Sequence, residues 1–300
     1  MDMTQDKCCR HGANLRRRRR RHRKILRSII FSCSIIAVAV FVAVGSRMIT
    51  SGDGGTNRYD VEAGNNTYDN AVIENSKISE NNKIQNEQSM LDDIMNSTQY
   101  PKQLQELALK NEEALEFVYD YPTEHVKEHT IDLTEEASMD SVPLFVQWDK
   151  RWGYEKYSGN FFAASGCGPT TLSMVVVYLT HNRDASPIAV AKYSKEAGYS
   201  VDGSGSSWTL ISEGCRHYGV KAKTVALDES RMKAELDAGH PIVVNVGPGD
   251  FTDTGHFMVI TGYDDEGFSI NDPNSIEKSG KRWLFKNISS QIRAVWSMYV

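Results

Sequence analysis

Nineteen consecutive residues without a charge, Ser28 to Ser46, divide this chain into parts that cannot share one solvent. Ile, Val, Ala and Phe dominate the run, and as a helix it extends roughly 28 Å, about the depth of a bilayer's hydrocarbon core. Before it, residues 1–28 hold 11 Lys and Arg against 2 Asp and Glu, a net of +9. The whole chain carries −5, so the remaining residues carry −14. Basic residues beside a spanning run keep that side in the cytoplasm. The expected order is therefore a basic cytoplasmic tail at 1–28, a transmembrane helix at 29–46, and everything after it outside the cytoplasm, at the cell membrane. A cleaved signal peptide is the alternative, since Ala43-Val44-Gly45 offers small residues to a peptidase; the same part of the chain is exported. Cationic residues gathered at one end beside an apolar run do not make a nucleic-acid surface, and no nucleic-acid partner is expected. Cys8 and Cys9 read as reduced thiols, with lipid attachment as the other option.

Residues 47–86 read as a flexible linker. They are rich in Asn, Gly, Ser, Asp and Glu, too polar to offset the entropy of ordering the chain, and a coil of this length spans roughly 35 Å. Residues 87–140 read as a helical segment. Pro101 suits a first turn, Leu104, Leu107, Ala108, Leu115 and Val118 share a helical face, and Pro122 ends the helix. That face can pack on the following domain or on a partner. His125-Val126-Lys127-Glu128-His129 matches the inverted zinc-hydrolase pattern H-x-x-E-H. A catalytic zinc needs a walled cavity with supporting partners, which so polar a stretch does not offer, so it reads as solvated surface and no metal is expected. From residue 141 the composition is that of one packed domain, about 160 residues long.

Three features of this domain carry chemistry. Gly166-Cys167-Gly168-Pro169-Thr170-Thr171 leads into an apolar helix, placing Cys167 at its N-terminal end, where the dipole and free N–H groups favour a thiolate. Gly255-His256-Phe257 heads a β-type run to Tyr263, and Pro241–Val246 supplies a partner strand. Phe268-Ser269-Ile270-Asn271-Asp272 reads as a strand ending in an acid at a Pro turn. Adjacent strands could bring His256 and Asp272 to one sheet edge, giving an imidazole between a thiol and a carboxylate, the arrangement that activates a nucleophile. Cys215 reads as core packing, because a bridge to Cys167 would block the nucleophile. Asp202–Ser206 is a loop lacking the Lys of a phosphate cradle, and glycines and a proline break any helix that would align Asp250, Asp253 and His256 on a metal.

Gln147-Trp148-Asp149, Arg151-Trp152-Gly153, Gly166–Thr170, Gly255–Phe257 and Asn271-Asp272-Pro273-Asn274-Ser275 together resemble the C39-like cysteine peptidase family of papain-type fold, over roughly residues 141–300. The resemblance implies Cys167 as nucleophile, His256 as general base, Asp272 as the residue orienting the imidazole, and Gln147 as an oxyanion-hole donor. Gln147 lies 20 residues before Cys167, a longer gap than in papain, so the Tyr157–Ala164 stretch must loop out. Members of the wider group that process bacteriocins are fused to an ABC transporter. This sequence has no transporter core and no P-loop, so cleavage of double-glycine leaders is not implied.

The expected fold is α+β, a helix carrying the cysteine packed on an antiparallel sheet carrying the histidine and aspartate, behind an N-terminal transmembrane helix. The expected function is a membrane-anchored, extracytoplasmic cysteine peptidase that needs no cofactor and acts on a peptide or protein substrate. The alternatives are a module of the same fold that binds peptide or cell-wall material without cleaving it, a thiol-dependent amidase or transpeptidase, and a zinc hydrolase at His125 and His129.

Overall fold

The computed structural model describes residues 66–300, with side chains from Ser79 onward. The expected tail, the membrane helix at 29–46 and the first part of the linker lie outside the described residues. Among those described, no helix is long and apolar enough to cross a membrane. Contacts divide the chain into residues 1–81 and 82–300. Helix α1 spans Asn66–Asn96, so the linker expected through residue 86 gives way to helix at Asn66. No Gly or Pro interrupts the chain from Asn66 to Asn96, and polar composition alone does not stop a backbone from closing its own hydrogen bonds.

In the larger unit, Ile94 of α1 joins Leu104, Leu107 and Ala108 of α2 (Lys102–Lys110) and Leu115 and Val118 of α3 (Leu115–Tyr119). These share one apolar cluster with Phe161 and Ala163. The helical segment is thus packed on its own domain. It is not a single helix ended by Pro122. Extended backbone at Asn111 ends α2, and Pro122 sits in the first turn of a further short helix, Tyr121–Glu124, where a missing N–H costs nothing. His125 to His129 follow as turn and coil rather than helix. The His125 ring stacks on Tyr121 with centroids 4.1 Å apart, while His129 Nε2 lies 3.2 Å from the Glu124 carbonyl oxygen. Each ring is engaged by a different neighbour, and no group of three metal-ligating side chains converges among the described residues.

Beyond these come α4 (Cys167–Thr180), α5 (Pro187–Glu196), β1 (Lys221–Thr224), α6 (Glu229–Asp237), β2 (Ile242–Val246), β3 (His256–Asp264), β4 (Gly267–Asn271), β5 (Arg282–Trp283) and β6 (Ile292–Tyr299). The strands form one antiparallel sheet in the order β1-β6-β2-β3-β4-β5. β2 and the first half of β3 are buried on both faces, which is why their sequences are mainly apolar and do not alternate, with Asn245 and His256 the polar exceptions. Val243, Phe257 and Val259 share a core with Leu172, Val175 and Val176 of α4. Val244, Met258 and Ile260 share another with Met232 of α6. Helix α4 is buried from Gly168 to Val177, as befits a helix apolar all round. The α+β arrangement read from the sequence, a cysteine helix laid on an antiparallel sheet, is the one observed.

Candidate active site

Cys167 is the first residue of α4, so its backbone N–H has no acceptor within the helix. A Cβ at Gly168 would lie 2.5 Å from Ser206 Oγ. Only glycine there lets the short ribbon Ser200–Val201/Gly205–Ser206 close on the helix start. Pro169, still in the first turn, needs no N–H. Cys167 is half-buried and borders a cleft of about 680 Å³, walled in part by Asn160, Ser206, Trp208, Gly247 and Arg293.

His256 opens β3, opposite Val246 of β2. Asp272 follows the last residue of β4, and the pairing of Val259 with Asn271 sets both at the same end of the sheet. His256 Nε2 lies 2.7 Å from Asp272 Oδ1. That leaves Nδ1 for Cys167, whose thiol is near enough to the ring for each group to shift the other's pKa. Asp272 is fully buried and His256 is 6% exposed, so the bond between them acts with little screening by water. Of the three residues singled out in the sequence, His256 and Asp272 are joined by a hydrogen bond and Cys167 is the neighbour that His256 influences.

Burial works against charge on both Cys167 and His256, and their partners overcome it. For Cys167, burial would raise the pKa. The hydrogen bond and charge of His256, helped by the backbone N–H groups of Phe257 and Gly168, hold it below the ordinary thiol value. For His256, burial would lower the pKa, but the charge and hydrogen bond of Asp272 and the contact with Cys167 push it up to about 10. Each group thus favours the charged form of the other, thiolate beside imidazolium. Cys215 provides the contrast: it is buried in the main core, as expected, and burial pushes its thiol up to about 11.

Gln147 is buried, and its Nε2 donates to the Ala163 carbonyl at 2.8 Å. Its backbone N–H donates to the Pro273 carbonyl at 2.7 Å. It therefore ties the peptide just before Cys167 to the turn that holds Asp272, and one amide hydrogen remains to be donated. The long gap to Cys167 is taken up by a ribbon, Lys156–Tyr157/Asn160–Phe161, and a short helix, Phe162–Ser165.

The Asp272 turn is gripped by residues that sequence reasoning missed. The Asn274 N–H donates to Asp272 Oδ1 at 2.8 Å, on the oxygen that also faces His256. Asn111 Nδ2 donates to the Asn274 carbonyl at 2.9 Å. The Glu113 carboxylate accepts from Ser275 Oγ, from the Ile276 N–H at 2.7 Å and from the Glu277 N–H at 3.1 Å. The Asn-Asp-Pro-Asn-Ser run signals a side-chain-stabilised turn. Nothing local announces that Asn111 and Glu113 meet it.

A family model described as Peptidase_C39 like family matches residues 139–300. No curated protein matches the chain. Among solved structures, one similar chain is the peptidase domain of Streptococcus ComA, a bi-functional ABC transporter involved in a quorum-sensing pathway. It is 18% identical with a TM-score of 0.39, over 53% of this chain and 96% of that one. Another, described as a C39-like peptidase from Bacillus anthracis, is 16% identical with a TM-score of 0.34, over 53% of this chain and 95% of that one.

Proposed function

This chain belongs to the Peptidase_C39-like family, and on that premise we propose that it is a cysteine peptidase that cleaves peptide bonds at Cys167. The observation that carries this reading is the 2.7 Å hydrogen bond between His256 and a fully buried Asp272, beside a Cys167 whose thiol His256 holds below its ordinary pKa. A module kept only for binding has no need of a thiol held below its ordinary pKa at the mouth of a cleft.

The Cys167 thiolate attacks the carbonyl carbon of the scissile bond, forming a C–S bond and a tetrahedral oxyanion. The Cys167 backbone N–H and the spare hydrogen of Gln147 Nε2 are the donors for that oxygen. On collapse the C–N bond breaks, and the proton on His256 passes to the leaving amine. Water then attacks the thioester while His256 takes a proton. The C–S bond breaks, an acid is released, and the thiolate–imidazolium pair is restored. Asp272 keeps the ring aligned and steadies its positive charge throughout.

We further propose that the uncharged run at 29–46 anchors the protein and that the peptidase domain faces outward. Membrane fractions should retain the full chain after alkaline carbonate washing, and protease added to intact cells should remove the domain. Recovery of the chain in the soluble fraction overturns this part alone.

For the chemistry, digestion of a proteome-derived peptide library by the full chain should generate new N-termini that Cys167→Ala does not generate. Equal cleavage by Cys167→Ala sinks the mechanism.

A further inference from the structure

Strand β6 does not pair evenly with β2. Ile292 opposes Val246 and Ala294 opposes Asn245, so Arg293 is the extra residue of a β-bulge. Such bulges turn a side chain out of the regular alternation. Here the side chain is turned to the cleft that Cys167 borders, and Arg293 is the only charged residue among those that line it.

The guanidinium is held but not neutralised. Nη1 donates to the Ser290 carbonyl at 2.8 Å. Nε and Nη2 lie over Gly247, where a Cβ would sit 2.9 Å from Nε and 3.0 Å from Nη2. Any larger residue at 247 would push the group aside. Neither Nε nor Nη2 has an acceptor among the described residues, and no carboxylate pairs with the group. Asp250, on the neighbouring loop, is taken up by Gln291 Nε2 at 2.7 Å. The Nε–Nη2 edge of an arginine offers two parallel N–H groups at the spacing of a carboxylate's oxygens.

We infer that Arg293 selects substrate by receiving a carboxylate of the bound peptide on its Nε–Nη2 edge, a step that rests on the peptidase reading. The register sets the distance. Val246 opposes Ile292 on one side and His256 on the other, so the bulge lies two strand spacings, about 10 Å, from the backbone of His256. An extended peptide covers that in about three residues. The carboxylate is an Asp or Glu side chain up to three residues from the cleaved bond, or the peptide's own C-terminus at that distance.

The test is digestion of the library by the full chain, with free and with amidated C-termini, followed by Arg293→Ala and Arg293→Glu. Peptides with Asp or Glu at one position within three residues of the bond should be cut about ten-fold faster than Asn or Gln counterparts. The preference should vanish in Arg293→Ala and turn toward Lys in Arg293→Glu, while the neutral counterparts report that each variant is folded. Arg293→Gln replaces the alanine variant if that one does not fold. Preference lost on amidation identifies the terminal carboxylate as the ligand. No acidic position in the wild type, or the same profile in Arg293→Glu, overturns the inference. If the wild type cleaves no better than Cys167→Ala, the peptidase reading has failed and labelling decides the role of Arg293. Acetyl-Asp-Ala-Ala chloromethyl ketone should then alkylate Cys167 faster than its Asn analogue, and only when Arg293 is present. Equal rates overturn the inference.

Discussion

The thiol of Cys167 is held below its ordinary pKa because His256 lies beside it, and on the proposed mechanism that pairing sets how the rate depends on pH. The thiol is held below its usual value and the imidazole pushed up to about 10, so the thiolate–imidazolium pair that the proposed mechanism uses exists between those limits. Alkylation of Cys167 by iodoacetamide should proceed well below pH 8.5, the ordinary thiol value. In His256→Ala the thiol should move upward, because its burial remains while the compensating cation is gone. Cys215 should stay unreactive in both proteins. Asp272→Asn keeps a hydrogen-bond acceptor but removes the charge, which is the first influence raising the histidine. Its imidazolium should deprotonate at lower pH, so the alkaline limb of kcat/KM should move down while the acidic limb survives. Gln147→Ala should lower kcat by about 10²–10³ if its amide serves the oxyanion, with little change in alkylation rate. Cys167, His256 and Asp272 were legible in the sequence because each is marked by its own element: a glycine-flanked helix start, a strand start, and a strand end before a proline. The role of Gln147 was not legible in that way. It came from resemblance, and its tie to Ala163 depends on how the intervening ribbon folds back.

At the scale of elements, the acid of the site is positioned from two directions. β4 delivers Asp272 from within the sheet, and the loop between α2 and α3 holds the next turn from outside through Asn111 and Glu113. Glu113→Ala removes three acceptor contacts, two of them to backbone N–H groups at the start of the short helix Ile276–Ser279. The expected cost is about 1–3 kcal/mol, read as a lower unfolding temperature. On the proposed mechanism activity should fall in kcat more than it changes KM, because the loosened turn carries Asp272 and not a substrate contact. A drop in stability with unaltered kcat would separate the two roles. This clamp was invisible in the sequence because its partners are more than 160 positions apart, as with Asn111 and Asn274 at 163. Periodicity reports the face of a helix, not what that face will meet. The same limit explains the linker: residues 66–86 offer no apolar stripe to detect, yet nothing in them breaks a helix.

For the whole molecule, the stretch matching the family is smaller than the unit that folds. The match begins at residue 139, but Phe161 and Ala163, just ahead of Cys167, are buried against Ile94, Leu104 and Val118. A protein trimmed to residues 139–300 would expose that cluster and lose the grip on the Asp272 turn. It should unfold about 10 °C or more below one starting at Asn82, given roughly 2–4 °C per kcal/mol at this size. Differential scanning calorimetry of the two fragments measures the gap, and equal midpoints would show the helices to be a passive addition. The hairpin of β3 and β4 has a consequence for anyone wishing to mark or immobilise this protein. The pairs nearest the site, Val246 with His256 and Val259 with Asn271, lie at one end of the hairpin, while Asp264 and Gly267 close the other around Asp265 and Glu266. A fluorophore or short peptide tag inserted at that far tip would leave His256 and Asp272 where they are. Removing a single residue between His256 and Val259 would instead slide the imidazole by about 3.4 Å and reverse the side from which it projects.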